Sequence, residues 1–341
     1  MKNKKENGQF YTTNCNYILD NLSILKLVSD ADKIIEPFAG KAHLIDWVKN
    51  NLTNDIVGYD KEPKREDIIL RDTLLFPPNY SDSWIITNPP YLARNKCKEK
   101  SLFDKYNTND LYKCFINSIN DCKGGIFILP ANFFLAKSDT LSSFLRKYRL
   151  LKVKYFEERV FSDTSNTVVA FSFEKSTEPL TKQNVEWTLM PSNETKTFIM
   201  DSRYDWIISG EIYNLKNTLV RRHTEDHDIK KNEQLTFMTL RAIDSGKMDG
   251  RISLNYQENY VYNGINTSRT YATIVVKGKK LLSSEEQVSI CNQFNEFIEK
   301  KRKMTWSLFL PQYRESKEYA RKRIPFELAY SIISTIIEEN P

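Results

Sequence analysis

Trp84-Ile85-Ile86-Thr87-Asn88-Pro89-Pro90-Tyr91 joins a run of strand-forming residues to a pair of prolines. The first four residues read as the end of a buried strand. Neither the ladder nor a helix continues through the prolines, because proline lacks the backbone donor and clashes with the preceding turn. The strand therefore ends in a rigid, non-helical turn. Pro89 holds Asn88 on extended backbone. A side-chain amide, backbone carbonyls released from ladder duty and the ring of Tyr91 then meet at the carboxyl end of a strand. That set suits a flat base bearing an amino group. A turn that only stops the strand is the plainer reading of the same residues, and the rest of the chain has to separate the two.

Towards the amino terminus, Asp32-Lys33-Ile34-Ile35-Glu36-Pro37-Phe38-Ala39-Gly40 predicts a strand that breaks into a tight turn. A helix follows from Ala42 to Asn50, with Leu44, Ile45, Trp47 and Val48 on its buried side. Asp55 to Asp60 and Asp67 to Thr73 predict two further strands, each with an acid at or near its end. Turns between parallel strands and crossover helices lie at the carboxyl edge of an open α/β sheet, where such sheets bind ligands. Gly40 lets a ligand approach the backbone, and Glu36 offers a carboxylate to an ammonium group. Asp60, about twenty residues after the glycine turn, stands where a ribose hydroxyl pair is held. Ala42 occupies the position of a second glycine, and no Lys-Ser or Lys-Thr pair follows the Gly40 turn, so this turn makes neither a dinucleotide fingerprint nor a P-loop. Taken singly, each acid reads equally well as a cap or turn former. In common phase, Gly40, Asp60, Asp72 and Asn88 fall on one edge of one sheet, which is the pattern of a nucleoside site.

The 341 residues suffice for two domains, since a single core stops growing near about 250 to 300 residues. The hydrophobic fraction of 40% and charged fraction of 28% belong to a soluble globular protein. No stretch approaches the roughly 18 apolar residues of a membrane span, and the Lys/Asn-rich start lacks the apolar core of a signal peptide. An intracellular location without membrane attachment is expected. Cys15, Cys97, Cys114, Cys122 and Cys291 are odd in number and form no C-x-x-C pair, which argues against a disulfide framework and a structural zinc site. No metal is expected.

Near the start, Gly8-Gln9-Phe10-Tyr11-Thr12-Thr13 leads into Asn16, a candidate cap for a helix from Tyr17 to Val28. Beyond the central turn, Leu92 to Asn109 carries four lysines and an arginine and reads as a long loop, of the kind that is functional or disordered. Helices are expected over 110–119 and 138–148, around a buried strand from Gly124 to Pro130. Strands from Lys152 to Phe156 and Thr167 to Phe173 form an antiparallel hairpin at the sheet edge, with Phe161 in the connecting loop. Residues 175–198 are polar, have short strands at best, and mark a domain connection. Further on, Tyr256, Tyr260, Tyr262 and Tyr271 crowd a polar segment containing Arg269, and amphipathic helices are expected over 284–302 and 325–339. Net charge is only +6, but nine Lys/Arg stand against four Glu between Glu296 and Arg323, interleaved with Trp306, Phe309, Tyr313 and Tyr319. Basic residues mixed with aromatics fit a polyanion surface as well as a solvated helix face.

In chain order, Gly8-Gln9-Phe10-Tyr11-Thr12, Glu36-Pro37-Phe38-Ala39-Gly40, Asp60, Asp72 and Asn88-Pro89-Pro90-Tyr91 resemble the N6-adenine DNA methyltransferases of restriction-modification type. The order is that of the γ arrangement, with cofactor motifs, then the catalytic motif, then a C-terminal target-recognition domain. The likeness covers residues 8 to about 174. Asn109 to Tyr112, Ile128 to Ala131, and Val160-Phe161 with Val168 to Phe171 fall where that family has its later motifs. The resemblance implies a Rossmann-like class I methyltransferase sheet with an antiparallel edge hairpin over residues 1–174. Over 175–341 it implies an α+β target-recognition domain.

It also implies S-adenosylmethionine as cofactor. Thr12, with Phe10 and Tyr11 beside it, would meet the carboxylate end, and Glu36, Pro37, Phe38, Ala39 and Gly40 the methionine portion. Asp60, with Lys61, would hold the ribose and Asp72 the adenine amino group. The methyl group would pass to adenine N6 in a short duplex sequence. Asn88 and the Pro89 carbonyl would accept from the amino group, Pro90 would complete the rigid turn, Tyr91 would stack on a flipped-out base and Phe161 would pack its edge. Double-stranded DNA is the expected partner, and a cognate restriction endonuclease acting on the same site fits the family. Arg269, Lys301, Arg302, Lys303, Arg314, Arg321, Lys322 and Arg323 are read as phosphate contacts. Protein glutamine methylation uses the same turn, but the N-terminal placement of Gly8 to Thr12 and the basic C-terminal half weigh against it. Cytosine N4 methylation usually begins the turn with serine. RNA adenine methylation and a non-catalytic DNA-binding module remain as rival readings.

Overall fold

A computed structural model describes residues 12–22, 27–29, 32–52, 55–161, 167–224, 229–245, 250–262, 268–278, 281–315 and 320–339. The chain divides into two units, Met1–Trp206 and Ile207–Pro341. Phe10 and Tyr11 lie outside the described residues.

The first unit is organised by one sheet. In chain order its elements are α1 (Cys15–Leu19), β1 (Lys33–Glu36), α2 (His43–Asn51), β2 (Ile56–Asp60), β3 (Ile68–Leu70) and β4 (Ser83–Thr87). There follow α3 (Ser101–Tyr106), α4 (Leu111–Ser118), β5 (Gly124–Pro130), α5 (Asn132–Leu135), α6 (Asp139–Lys147), β6 (Tyr148–Phe156), β7 (Val168–Lys175), β8 (Lys182–Met190) and β9 (Glu194–Asp201). The strand order is β3-β2-β1-β4-β5-β7-β6-β8-β9. Strands β1 to β5 are mutually parallel, and β7 runs antiparallel to both β5 and β6. This is the Rossmann-like methyltransferase sheet implied by the motifs. All five residues of β4 are buried, as a central parallel strand covered on both faces requires. Neighbouring β5 contributes Gly125 at a point where a Cβ would stand 2.0 Å from the Ile85 carbonyl oxygen. Only glycine admits that approach.

The chain winds outward from β1 through β2 to β3, then returns to lay β4 against the other side of β1. The reversal makes the carboxyl ends of β1 and β4 a topological switch point, where open α/β sheets bind ligands. Three departures from the sequence reading are local in origin. Helix α1 starts at Cys15 and stops at Leu19, just before Asn21 takes a left-handed backbone (φ 63°). The segment read as a long loop after Tyr91 contains α3. The hairpin of β6 and β7 is not the edge, because β8 pairs in parallel with β6 and β9 closes the sheet. Residues 182–201 conceal these strands because Val185, Trp187 and Leu189 alternate with polar neighbours, while Phe198 and Met200 flank an exposed Ile199 after a polar start. The compact units divide after Trp206.

The second unit is an α+β structure. Strands β10 (Val220–Arg222), β11 (Glu233–Arg241), β12 (Ser253–Tyr256) and β13 (Tyr271–Lys277) form an antiparallel sheet in the order β10-β13-β11-β12. Helix α7 (Ser284–Thr305) begins in a capping box between Ser283 and Glu286. A small hairpin of β14 (Gln312–Glu315) and β15 (Ala320–Lys322) precedes α8 (Phe326–Glu339). Met238, Leu240, Leu254 and Ile274 from the sheet pack with Phe294 and Ile298 of α7 and Ile332 and Ile333 of α8.

The proposed phosphate contacts separate into groups. Arg269 and Lys303 are exposed, and Arg321 and Arg323 half-buried. Lys301 bonds Glu211 at 2.9 Å. Lys322 is only 4% exposed. The Arg314 side chain lies outside the described residues. Arg302 is corrected outright. It is 8% exposed, its Nη2 donates to Asp244 Oδ1 at 2.7 Å, and its Nη1 donates to Ser307 Oγ at 3.0 Å. The guanidinium is an internal strut, and removing it would strand the Asp244 carboxylate. Arg302→Ala is expected to lower unfolding free energy in urea by about 3 to 5 kcal/mol, the cost of orphaning a buried charge. Unchanged stability with weaker nucleic-acid binding would return the residue to the surface role.

Candidate active site

Strands β1 and β4 lie side by side with Ile35 opposite Ile85, so the turns that leave them are neighbours. One buried carboxyl ties the two together. Glu36 is fully buried, and its Oε1 accepts from the Phe38 N–H at 2.9 Å and from Thr87 Oγ1 at 2.7 Å. Its Oε2 has no hydrogen-bond partner among the described residues. Burial pushes the pKa up to about 8, opposed by the bonds from Thr87 and Phe38 and reinforced by the nearby Asp60 charge.

In the turn after β1, Gly40 has a positive φ (53°), and its N–H donates to Asp60 Oδ2 at 2.8 Å. The Asp60 Oδ1 accepts from the Glu62 N–H at 2.8 Å. The ends of β1 and β2 are thereby locked. Ala42, where the commoner form of the turn has glycine, takes the left-handed backbone itself (φ 64°), a conformation that disfavours a Cβ by roughly 1 to 2 kcal/mol. Its methyl is buried in a cluster with Ala39, Ile45 and Ile68. The substitution thus keeps the glycine-like path of the chain. Asp72 Oδ1 accepts from the N–H groups of Leu74 and Leu75, both at 3.1 Å, and Thr73 Oγ1 donates to the Pro37 carbonyl at 2.9 Å. Pro37, Phe38, Gly40, Asp60, Lys61, Asp72, Asn88 and Pro90 line one cavity of about 200 Å³. Glu36 and Ala39 are buried beside it.

Asn88 is 8% exposed. Its Nδ2 donates to Thr12 Oγ1 at 3.1 Å, and its Oδ1 accepts from the Tyr91 hydroxyl, which also lies 2.6 Å from the Ile128 carbonyl. The Thr12 carbonyl in turn meets His43 Nδ1 at 2.9 Å. Thr12 is thus placed on the Asn88 amide. Tyr91 and Phe161 are buried, at 6% and 2% exposure, and do not present an open ring face. The Tyr91 ring stands edge-on to Tyr112, with centroids 6.3 Å apart. Burial keeps its hydroxyl well above the usual tyrosine range, so it stays a donor.

Two neighbours were given no role of their own from the sequence. His43 sits one residue past Ala42 and pins Thr12. Asp110, at the start of α4, has its carboxyl pushed up to about 6 by burial, close enough to influence Tyr91 and Tyr112 electrostatically. The only signal for Asp110 was its place in the Asn109 to Tyr112 stretch.

The strand-end cavity lies at the carboxyl edge of a Rossmann-like methyltransferase sheet. Residues 43–161 match the model of the Eco57I restriction-modification methylase family. No curated protein matches the chain. Among solved structures, a type I restriction-modification methyltransferase subunit from Streptococcus thermophilus aligns at 13% identity and a TM-score of 0.40, covering 53% of this chain and 47% of that one. The EcoKI M protein of a type I restriction enzyme aligns at 14% identity and 0.37, covering 50% and 47%. The type IIG restriction endonuclease BpuSI aligns at 12% and 0.40, covering 65% and 36%. The chain spans about half the length of the type I subunits it matches.

Because Glu36 titrates near 8 in the folded protein against an ordinary 4.5, the folded state keeps a proton that the unfolded chain releases between those values. Its stabilising contribution is complete below pH 4.5 and is lost as pH rises through 8. In that window unfolding free energy falls by up to about 1.4 kcal/mol per pH unit from this group. Urea titrations of the ligand-free protein should show a flatter pH dependence for Glu36→Gln than for wild type. Identical slopes would mean that Glu36 is ionised throughout.

Proposed function

We propose that the protein is an S-adenosylmethionine-dependent DNA methyltransferase acting on the N6 of adenine in a short duplex sequence. The observation that carries the reading is that Asn88 and the Gly40 turn line the same cavity, so a methyl donor and an amino-group acceptor share one space. The residues fit the cofactor. The orphaned Glu36 Oε2 is suited to an ammonium donor, and a cation there would draw the proton off the carboxyl. Each Asp60 oxygen accepts one backbone N–H and retains a lone pair for a ribose hydroxyl. Asp72 uses Oδ1 to cap its turn and has Oδ2 for an adenine amino group.

When bound, the cofactor supplies an electrophilic methyl group on a sulfonium. The protein's share is to make adenine N6 a better nucleophile, because its lone pair is delocalised into the ring. Asn88 Oδ1 and the Pro89 carbonyl accept its two hydrogens, which favours a tetrahedral nitrogen with a localised pair. Thr12 holds the Asn88 amide in the orientation that turns Oδ1 away from its own hydroxyl. The Tyr91 hydroxyl, bonded to Asn88 in the free site, yields that acceptor to the base and keeps the Ile128 carbonyl. No strong base is needed, and the acceleration rests on alignment and preorganised acceptors. Within a duplex the amino group is out of reach, so the base is extruded. Extrusion costs a few kcal/mol, and the Tyr91 ring, enclosed in the free site, has no open face with which to repay it.

Label from methyl-tritiated S-adenosylmethionine is expected to pass to duplex DNA. Asn88→Ala should lower kcat by about 10²-fold or more while cofactor affinity, measured by calorimetry, stays at the wild-type value. Transfer by Asn88→Ala at the wild-type rate would sink this mechanism.

A further inference from the structure

The segment that follows the catalytic turn has two sides. Its base is closed by an antiparallel bridge between Ala93 and Asp110. The Arg94 N–H donates to the Asn109 carbonyl at 2.9 Å, and the Leu111 N–H to the Leu92 carbonyl at 3.1 Å. Arg94 also pairs with Asp104 of α3 at 2.6 Å. At its far end, Lys105 Nζ reaches the Leu75 carbonyl at 3.1 Å, and the Tyr106 hydroxyl the Leu74 carbonyl at 2.8 Å. The segment is therefore strapped across from the Asn88 turn to the turn that follows Asp72.

Cys97, Leu102 and Phe103 line the cavity shared by Gly40, Asp60 and Asn88, and Glu99 lines it from an exposed position. Lys96, Lys98 and Lys100 alternate with Cys97 and Glu99 and are exposed. None of the three pairs with a carboxylate of a described residue. A row of lysines on a loop is ordinarily just a solvated face. Here the row is held by a docked element whose other side walls the cavity, within a dozen residues of the turn that receives the target. A base reaching Asn88 brings its own backbone phosphates with it, and the flanking phosphates need cations at this rim.

We infer that Lys96, Lys98 and Lys100 bind the phosphates of duplex DNA on either side of the nucleotide that enters the cavity. The inference rests on the reading of the protein as a DNA methyltransferase. It assigns the DNA contact of the first unit to a segment outside the basic residues of the second. These contacts fix register and carry no sequence information.

The test is the salt dependence of binding to a labelled duplex, by fluorescence anisotropy. Each phosphate contact contributes about 0.9 to the slope of log affinity against log salt. Combined Lys96→Gln, Lys98→Gln and Lys100→Gln should reduce the slope by about 2 to 3, and Lys→Arg at the same positions should restore it. Lys33→Gln, at the amino end of β1 on the opposite edge of the sheet, should leave it unchanged. Unaltered S-adenosylmethionine affinity of the triple variant would show that the cavity wall is intact. A wild-type slope in the triple variant overturns the inference alone. A loss seen on single-stranded RNA but not on duplex DNA overturns the partner assigned here. Absence of salt-dependent DNA binding by the wild type overturns both this inference and the reading on which it rests.

Discussion

A single buried carboxyl, that of Glu36, constrains both turns at the carboxyl edge of the sheet. Through Oε1 it ties the backbone of the turn leaving β1 to the last residue of β4. Burying a carboxyl is unfavourable, and the raised pKa measures that cost. The arrangement is tolerated because the group stays neutral in the free protein while one oxygen waits without a partner. A cationic ligand is the natural complement, and its arrival would turn a liability into a paired charge. The same residue therefore links fold, electrostatics and the proposed cofactor.

From that tie the site spreads in two directions. Towards β2, Gly40 and Asp60 lock the turn whose left-handed residues are Gly40 and Ala42. Towards Asn88, Thr12 is delivered from before α1 to hold the amide. His43, at the start of the helix after the Gly40 turn, holds Thr12. The Gly40 turn and the Asn88 turn are thus cross-braced by hydrogen bonds between residues far apart in the chain. Such bracing is what preorganised acceptors require.

Much of this was legible because it depends on local rules. Apolar runs ending in acids, a glycine turn and a proline pair each announce a strand end, and their common phase announces the edge. The features that stayed hidden depend on distant partners. Tyr91 looks like an exposed stacking ring until Tyr112 and the Ile128 carbonyl enclose it. Arg302 looks like part of a basic surface until Asp244, 58 residues away, is found beside it. Strands β8 and β9 were masked by composition, since half of each faces outward and is mostly polar. Charge runs and aromatic rings disclose chemistry but not which way they face.

The central claim is that the Asn88 turn receives the amino group of adenine in DNA. It is tested most directly by methylating duplex DNA with labelled S-adenosylmethionine, digesting it to nucleosides and finding which one carries the label. The account predicts label in N6-methyldeoxyadenosine alone. Label in 4-methyldeoxycytidine, or label in RNA or in protein glutamine with the DNA left blank, would contradict it.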